Sequence, residues 1–373
     1  MDFPCAREYH GKPELSLYFI ILNKRDFDVD TEELDEVIRA CKRANLVARP
    51  ASKSILSGWL IAPPGLVALP RVEESAMLRP RKGVQTSAEA VFRLVIEKEA
   101  SGNRLVVHND ISKSKIPVRL EYGAIEKDLV YPFTTGAGCE RWRAKSVGYY
   151  VVPHTPKTGM KPIGETEMKG RYPGAFEFLK KHESPLLGRA VHKLWGPENP
   201  FYSLYNIGPY SFANFKLVWP DVTNQFACAV ISKVEDPILG DKLLIPNNTL
   251  LMIPFDSEAE PHFCSALLNS SVGRFLIQQS IVLHATSEIL KVAPIPKYNH
   301  ANTDHVKLSG ASKLCHAATE KGDTKRVAAL EAEIDKAAAK LWGITDDELK
   351  AIQDALAQTK KSKRRAKDED EDE

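Results

Sequence analysis

The sequence predicts an α+β protein: a mixed region of short strands and helices, followed by a C-terminal pair of helices. Three observations lead there. Short apolar runs of strand length, bounded by turn residues, recur between residues 83 and 254. From Pro261 onward the apolar residues return at helical spacing. The chain has 373 residues, 43% of them apolar and 27% charged, which is the balance of a globular protein with room for two or three domains.

Taken in order, Leu15–Leu22 (LSLYFIIL) reads as a strand. A helix follows in DTEELDEVIRACKRANL, where Asp30 and Glu33 form a capping box and Leu34, Val37, Ile38 and Cys41 share one face. One strand and one helix are too little for a domain, so residues 1–58 read as the end of something larger. The Pro- and Gly-rich stretch that includes IAPPGLVALP predicts a linker over 59–82.

A mixed domain is expected over 83–310. Its strands are Ala90–Glu97, Arg104–His108, Val147–Pro153, Phe215–Trp219, Phe226–Ser232 and Thr249–Pro254, with a helix at Pro173–Lys181. A further helix is expected over Pro261–Gln279, with Leu267, Leu268, Val272, Phe275 and Leu276 on its apolar face. The C-terminal helices occupy 311–359. Val327, Leu330, Ile334, Ala337 and Leu341 form one stripe over Thr324–Trp342, Gly343 ends that helix, and Thr345 with Glu348 opens the next. The tail 360–373 holds six bases followed by six acids and is expected to be disordered.

Several chemistries are disfavoured. The six cysteines lie far apart with no C-x-x-C pair, which argues against disulfides and zinc, and no metal site is expected. No secretion signal opens the chain and no run of eighteen apolar residues occurs, so a cytoplasmic protein without membrane contact is expected. Asn199–Tyr202 (NPFY) differs by one residue from N-P-P-Y, the loop with which amino-methylating DNA enzymes hold an extruded base. Phe201 replaces the second proline, and no apolar strand precedes it. S-adenosylmethionine needs a glycine-rich turn after a methyltransferase's first strand, where the backbone approaches it closely, and no such G-x-G turn is expected in this chain. Glu167-x-Lys169 matches half of a nuclease site but has no suitably placed acidic partner before it. No catalytic residue is assigned.

Charge is uneven. Between Arg141 and Lys216 there are twelve Lys and Arg against five Glu and no Asp, an excess of +7 in a chain whose net charge is +2. Basic excess interleaved with aromatics points to nucleic acid, against the alternative of a merely soluble surface.

From Trp59 onward, nine short motifs follow one another: RKGVQTSAEAVFRL, IEKDLVYPFTTGAGCERW, YYVVPHT, RYPGAFEFLKKHESPLLGR, FYSLYNIGPYSFANFKLVW, LLMIP, CSALLNSS, EILKVAPIP and IDKAAAKLWGITDDEL. In this order they resemble the C-terminal target-recognition half of large N6-adenine DNA methyltransferases, as found in bifunctional restriction–modification enzymes and phage-defence methylases. The resemblance departs at the N-terminus, where a full member carries a cofactor-binding, N-P-P-Y-bearing domain.

The resemblance implies a recognition domain, the specificity subunit of a restriction–modification or phage-defence system. It would read duplex DNA beside a separate methyltransferase subunit. S-adenosylmethionine would be bound by that partner, and no cofactor by this chain. Arg141, Arg143, Lys145, Lys157, Lys161, Lys169, Arg171 and Lys216 would meet phosphates. Base readers would lie in the loops near Thr155–Lys169 and Asn206–Asn214, with Asn206, Tyr210 and Asn214 among the DNA-binding residues. Trp142, Tyr150, Tyr205 and Tyr210 fit either base contact or core packing, and Trp219, at a strand end, fits the core. The alternatives are a truncated or split methyltransferase active only with a partner, and a protein-interaction module of a defence complex.

Overall fold

The computed structural model describes residues 78–112, 114, 118–223, 225–280 and 289–357, together with short strands between 8 and 62. Leu15–Ile20 is the strand expected from LSLYFIIL. It pairs antiparallel with Arg43–Pro50, which pairs in turn with Trp59–Ala62 at the start of the stretch read as a linker. The helix expected from Asp30 and the charged tail lie outside the described residues.

The mixed strand–helix architecture with C-terminal helices is as the sequence predicts, and it forms around two main cores. The first is a six-stranded sheet in the order Ile245–Pro246, Val130–Thr134, Gly148–Val151, Arg93–Ala100, Arg104–Asn109, Tyr122–Glu126, antiparallel except for its first pair. Short helices at Glu165–Arg171, Pro173–Lys180, Glu183–Leu187 and Ala190–Trp195 follow in sequence. Phe92, Leu105, Ile125, Phe133, Tyr150, Phe178 and Tyr202 fill its core. Pro173 opens its helix where no N–H is needed. The next two N–H groups, of Gly174 and Ala175, are accepted by Glu126 at 3.0 and 2.9 Å. Only glycine fits at 174, since a Cβ would stand 2.0 Å from the carbonyl of Ala124.

The second core joins a four-stranded antiparallel sheet, in the order Ala229–Ile231, Phe215–Pro220, Leu250–Phe255, Arg81–Lys82, to the C-terminal helices. Phe215–Pro220 is its most buried strand, with Leu217, Val218 and Trp219 fully buried, as a strand covered on both faces must be. Helix Thr324–Leu341 buries Leu330 and Ile334 of the expected stripe. It ends as expected: Gly343 takes φ +68°, and Ile344 N donates to Ala339 O at 2.8 Å. The reciprocal Thr345–Glu348 bonds then open a helix over 346–357.

Three local expectations are corrected. The strand expected from Ala90 begins only at Arg93, because Glu89–Phe92 forms a helical turn with Ala90, Val91 and Phe92 all buried. Asn109 Nδ2 holds the Ala90 carbonyl of that turn at 2.7 Å. The single helix expected over Pro261–Gln279 is two, Ala259–Asn269 and Ser271–Ser280, broken where Ser270 is extended (ψ 158°). The C-terminal helices, expected from 311, begin earlier: Thr303–Glu320 is a helix N-capped by Asn302 that runs unbroken across position 310.

Candidate functional site

The stretch Asn199–Trp219 is a strap rather than a catalytic loop. Phe201, Tyr202, Ser203, Leu204 and Tyr205 are all buried, and the Tyr202 hydroxyl donates to Ile163 O at 2.8 Å. A ring so placed cannot stack on an extruded base. The strap is held by Arg189, the last residue of the motif RYPGAFEFLKKHESPLLGR, which is 5% exposed. Its guanidinium donates to four carbonyls: Leu186 O at 2.8 Å, Thr86 O at 2.8 Å, Ser203 O at 2.9 Å and Phe201 O at 2.6 Å. It also lies over the rings of Phe92 and Tyr205. Burial pulls its pKa down to about 10, so it stays charged at neutral pH. His154, fully buried with its pKa pulled down to about 3 by burial, is neutral, and its Nε2 accepts from Leu204 N at 2.9 Å.

A second set of motif residues closes the C-terminal region. The Asp335 carboxylate accepts from both N and Oγ of Ser271 at 2.6 Å and from Gln353 at 2.9 Å. One buried side chain therefore caps helix Ser271–Ser280 and binds the last helix. Trp142 sits at a hairpin turn with φ +65° and donates its indole N–H to Glu331 at 2.7 Å. These contacts tie the hairpin to the C-terminal helices.

The bases expected at phosphates divide into three groups. Arg141 and Arg143 are half-buried and engaged internally, with Glu331 at 2.9 Å and Glu320 at 3.1 Å. Lys216 is a correction: it is fully buried in its strand, and its Nζ donates to Ala213 O at 2.8 Å. Burial takes its pKa down to about 7, and in this fold it reaches no phosphate. Lys145, Lys157, Lys161, Lys169 and Arg171 are exposed. Lys169 pairs with Glu165 at 2.6 Å and Arg171 approaches Glu167 at 3.9 Å along one helix. Lys145, Lys157 and Lys161 have no ion pair among the described residues.

The expected base readers are also split. Asn206 takes φ +49° and donates to Gln85 at 2.9 Å, a turn role. Tyr210 is half-buried under the Arg81 guanidinium, 5.2 Å from its ring centre, and Asn214 is exposed. Tyr150, Tyr205 and Trp219 are core. The loop between Pro153 and Ile163 is the one place where expected readers and free bases coincide. Base readers were expected there, and its sequence TPKTGMK carries two lysines, a methionine and no acid.

A cleft of about 290 Å³ beside the hairpin is lined by Glu140, Arg141, Phe226 and Arg274. Both arginines are already engaged, Arg274 through Asn269 O at 3.0 Å, and the cleft presents no free cation. The chain does contain a G-x-G, Gly136-Ala137-Gly138. It is a short turn between two strands that opens no α-helix, so it is not the strand-to-helix turn that cradles a nucleotide cofactor. Among the described residues no cluster of three or more His, Cys, Asp or Glu is placed to hold a metal, and no helix is long and apolar enough to cross a membrane.

No family model matches the sequence. Over 155 residues the chain is 26% identical to the type II methyltransferase M.NspV of Nostoc sp., a match covering 40% of this chain and 29% of that protein. Among solved structures, the type IIL restriction–modification enzyme MmeI in complex with DNA superimposes with a TM-score of 0.48 at 13% identity, covering 86% of this chain and 40% of that one. The chain thus spans less than half the length of either.

Proposed function

We propose that this chain is the DNA target-recognition part of an adenine-N6 methylation system of the restriction–modification type, acting beside a separate methyltransferase subunit that binds S-adenosylmethionine. The observation that carries the reading is the 26% identity over 155 residues to a type II methyltransferase, of which the chain spans only 29%. The geometry supports it in one respect. The exposed bases Lys157, Lys161, Lys169 and Arg171 follow one another along a loop and the helix after it, facing solvent rather than core. Residues 83–310 would form the reading domain, with the C-terminal helices completing its second core.

In this reading Lys157, Lys161 and Lys145 displace counterions from phosphates and fix the register, while polar groups of the loop and of Asn214 read base edges. Fluorescence anisotropy of the full chain with a labelled 40-bp random-sequence duplex between 50 and 200 mM salt tests it. Affinity should fall at least tenfold across that range, and titration with S-adenosylmethionine should give no heat. A salt-insensitive or absent interaction would remove the reading.

A second reading is a split methyltransferase active only with a partner. Both readings expect a subunit with N-P-P-Y and a cofactor turn to co-purify with the tagged chain from its host, so DNA binding separates them. Sequence-selective binding only when both chains are mixed would make this one a piece of the enzyme. DNA binding by the chain alone would make it a reader.

A further inference from the structure

The loop Pro153–Ile163 is built as a fixed projection. Its stem is closed by Ile163 N donating to Pro153 O at 2.9 Å. The stem residues Pro153, His154, Pro162 and Ile163 are all buried. Two contacts bolt it to the strap, Leu204 N to His154 at 2.9 Å and the Tyr202 hydroxyl to Ile163 O at 2.8 Å.

Beyond the stem run two successive turns, with Thr158 N and Lys161 N each 3.2 Å from the carbonyl three residues earlier. The first turn is locked by its threonines: Thr155 N donates to Thr158 Oγ1 at 3.1 Å, and Thr158 Oγ1 donates to Thr155 O at 3.1 Å. Gly159 takes φ +65°, which the second turn needs. On this frame Met160 is 73% exposed. Lys157 and Lys161 stand exposed on either side of it in sequence, without an ion pair among the described residues.

A large apolar side chain presented to water on an ordered turn, between two free cations, suits a partner that is apolar within and anionic at its edges. Stacked base pairs between two phosphate rows have that chemistry. An unbranched thioether is among the side chains able to part them. An acidic protein groove fits less well, because the loop has no acid or amide side chain to answer a protein's mixed rim. We infer that Met160 is a wedge that enters the base stack of duplex DNA, with Lys157 and Lys161 on the flanking phosphates. The inference rests on the DNA-recognition reading above.

The test selects bound duplexes from a random 40-bp pool with the full chain, then compares the wild type, Met160→Ala and a Lys157→Ala/Lys161→Ala double variant. Met160 is exposed, so its variant should keep the wild-type melting temperature. The wild type should enrich a motif. Met160→Ala should hold the unselected pool within about threefold of wild type but bind the selected duplex about tenfold more weakly. 2-Aminopurine moved step by step through the selected duplex should brighten at one step with the wild type and at none with Met160→Ala. The double variant should lower the salt slope by about 2 on either duplex.

Wild-type affinity and an unchanged 2-aminopurine signal in Met160→Ala would overturn the wedge while leaving DNA recognition standing. Absence of any enriched motif and of salt-dependent binding in the wild type would remove the recognition reading, and the wedge with it. If Met160→Ala then also lost a protein that co-purifies with the wild type, the projection would be a protein-docking element instead.

Discussion

The strap Asn199–Trp219 and the loop Pro153–Ile163 meet at two hydrogen bonds, His154 with Leu204 and Tyr202 with Ile163, but dispose their side chains in opposite ways. The strap buries most of its aromatics and its only cation, Lys216. The loop buries its stem and exposes its lysines and methionine. The strap carries the long motif FYSLYNIGPYSFANFKLVW, and its residues prove to be packing, turn and anchor residues. The shorter YYVVPHT motif stops at Thr155, before the exposed turns begin. A motif that many side chains must satisfy jointly marks a place where backbone must be held. A reading loop needs only a rigid stem and is free in the residues it presents.

The sharpest break in that comparison comes from the arginine that holds the strap. Replacing Arg189 by Ala leaves the carbonyls of Thr86, Phe201 and Ser203 in a buried site without this donor, while Leu186 O keeps a backbone N–H, and it opens a cavity. The expected loss is about 3–5 kcal/mol of first-core stability, read as a lower urea midpoint. Unchanged unfolding would mean that the strap is not anchored there.

Next in size is Asp335→Ala. It removes the cap of helix Ser271–Ser280 and the bond to Gln353, and should cost about 1–3 kcal/mol in thermal unfolding. Any DNA affinity should be unchanged, because the carboxylate faces only its own helices.

Lys216 provides a test that reads through pH. A free lysine titrates near 10.5, and burial brings this one to about 7. Between those values the unfolded chain holds a proton that the folded chain lacks, so stability rises as pH climbs from about 7 toward 10.5. Below about 7 both states are protonated, and the cost of the buried charge is fully present. Lys216→Met should be more stable than the parent at pH 7, and the gap should narrow by about pH 10 in denaturant titrations. Equal pH dependence in both proteins would show that Lys216 is solvated. A change in the salt slope of DNA binding would return it to the interface.

How far the sequence reached depended on which physical signal each element carried. The helix Thr324–Leu341 and its successor were legible because stripe, Gly343 and the Thr345–Glu348 box all act locally. The strand Phe215–Pro220 was legible from its apolar run. The turn at Glu89–Phe92 was not, because Asn109, distant in sequence, takes up its carbonyl. Nor was the break at Ser270, which precedes a helix capped by Asp335 from 64 residues away. The same limit governs the candidate site. Charge alone ranked Lys216 beside Lys157, although one lies at the centre of a sheet and the other in a solvent-facing turn. Neighbours along the chain do not reveal which faces of a strand are covered.

The smallest expected effect on stability isolates the loop from the strap. Lys157 and Lys161 pair with nothing among the described residues, and their removal strips no buried contact. The Lys157→Ala/Lys161→Ala variant should therefore unfold within about 0.5 kcal/mol of the wild type. Its plot of log affinity against log salt should flatten by about 2, since each lysine at a phosphate contributes about 0.9 to the slope. Arg141→Ala supplies the contrast. It frees Glu331, which keeps its bond from Trp142, and should weaken the hairpin–helix contact by about 1 kcal/mol while leaving the slope as it was. If instead Arg141→Ala flattened the slope and the loop variant did not, the basic surface that meets DNA would lie on the hairpin beside the C-terminal helices. The loop would then be a structural projection whose lysines only keep it soluble.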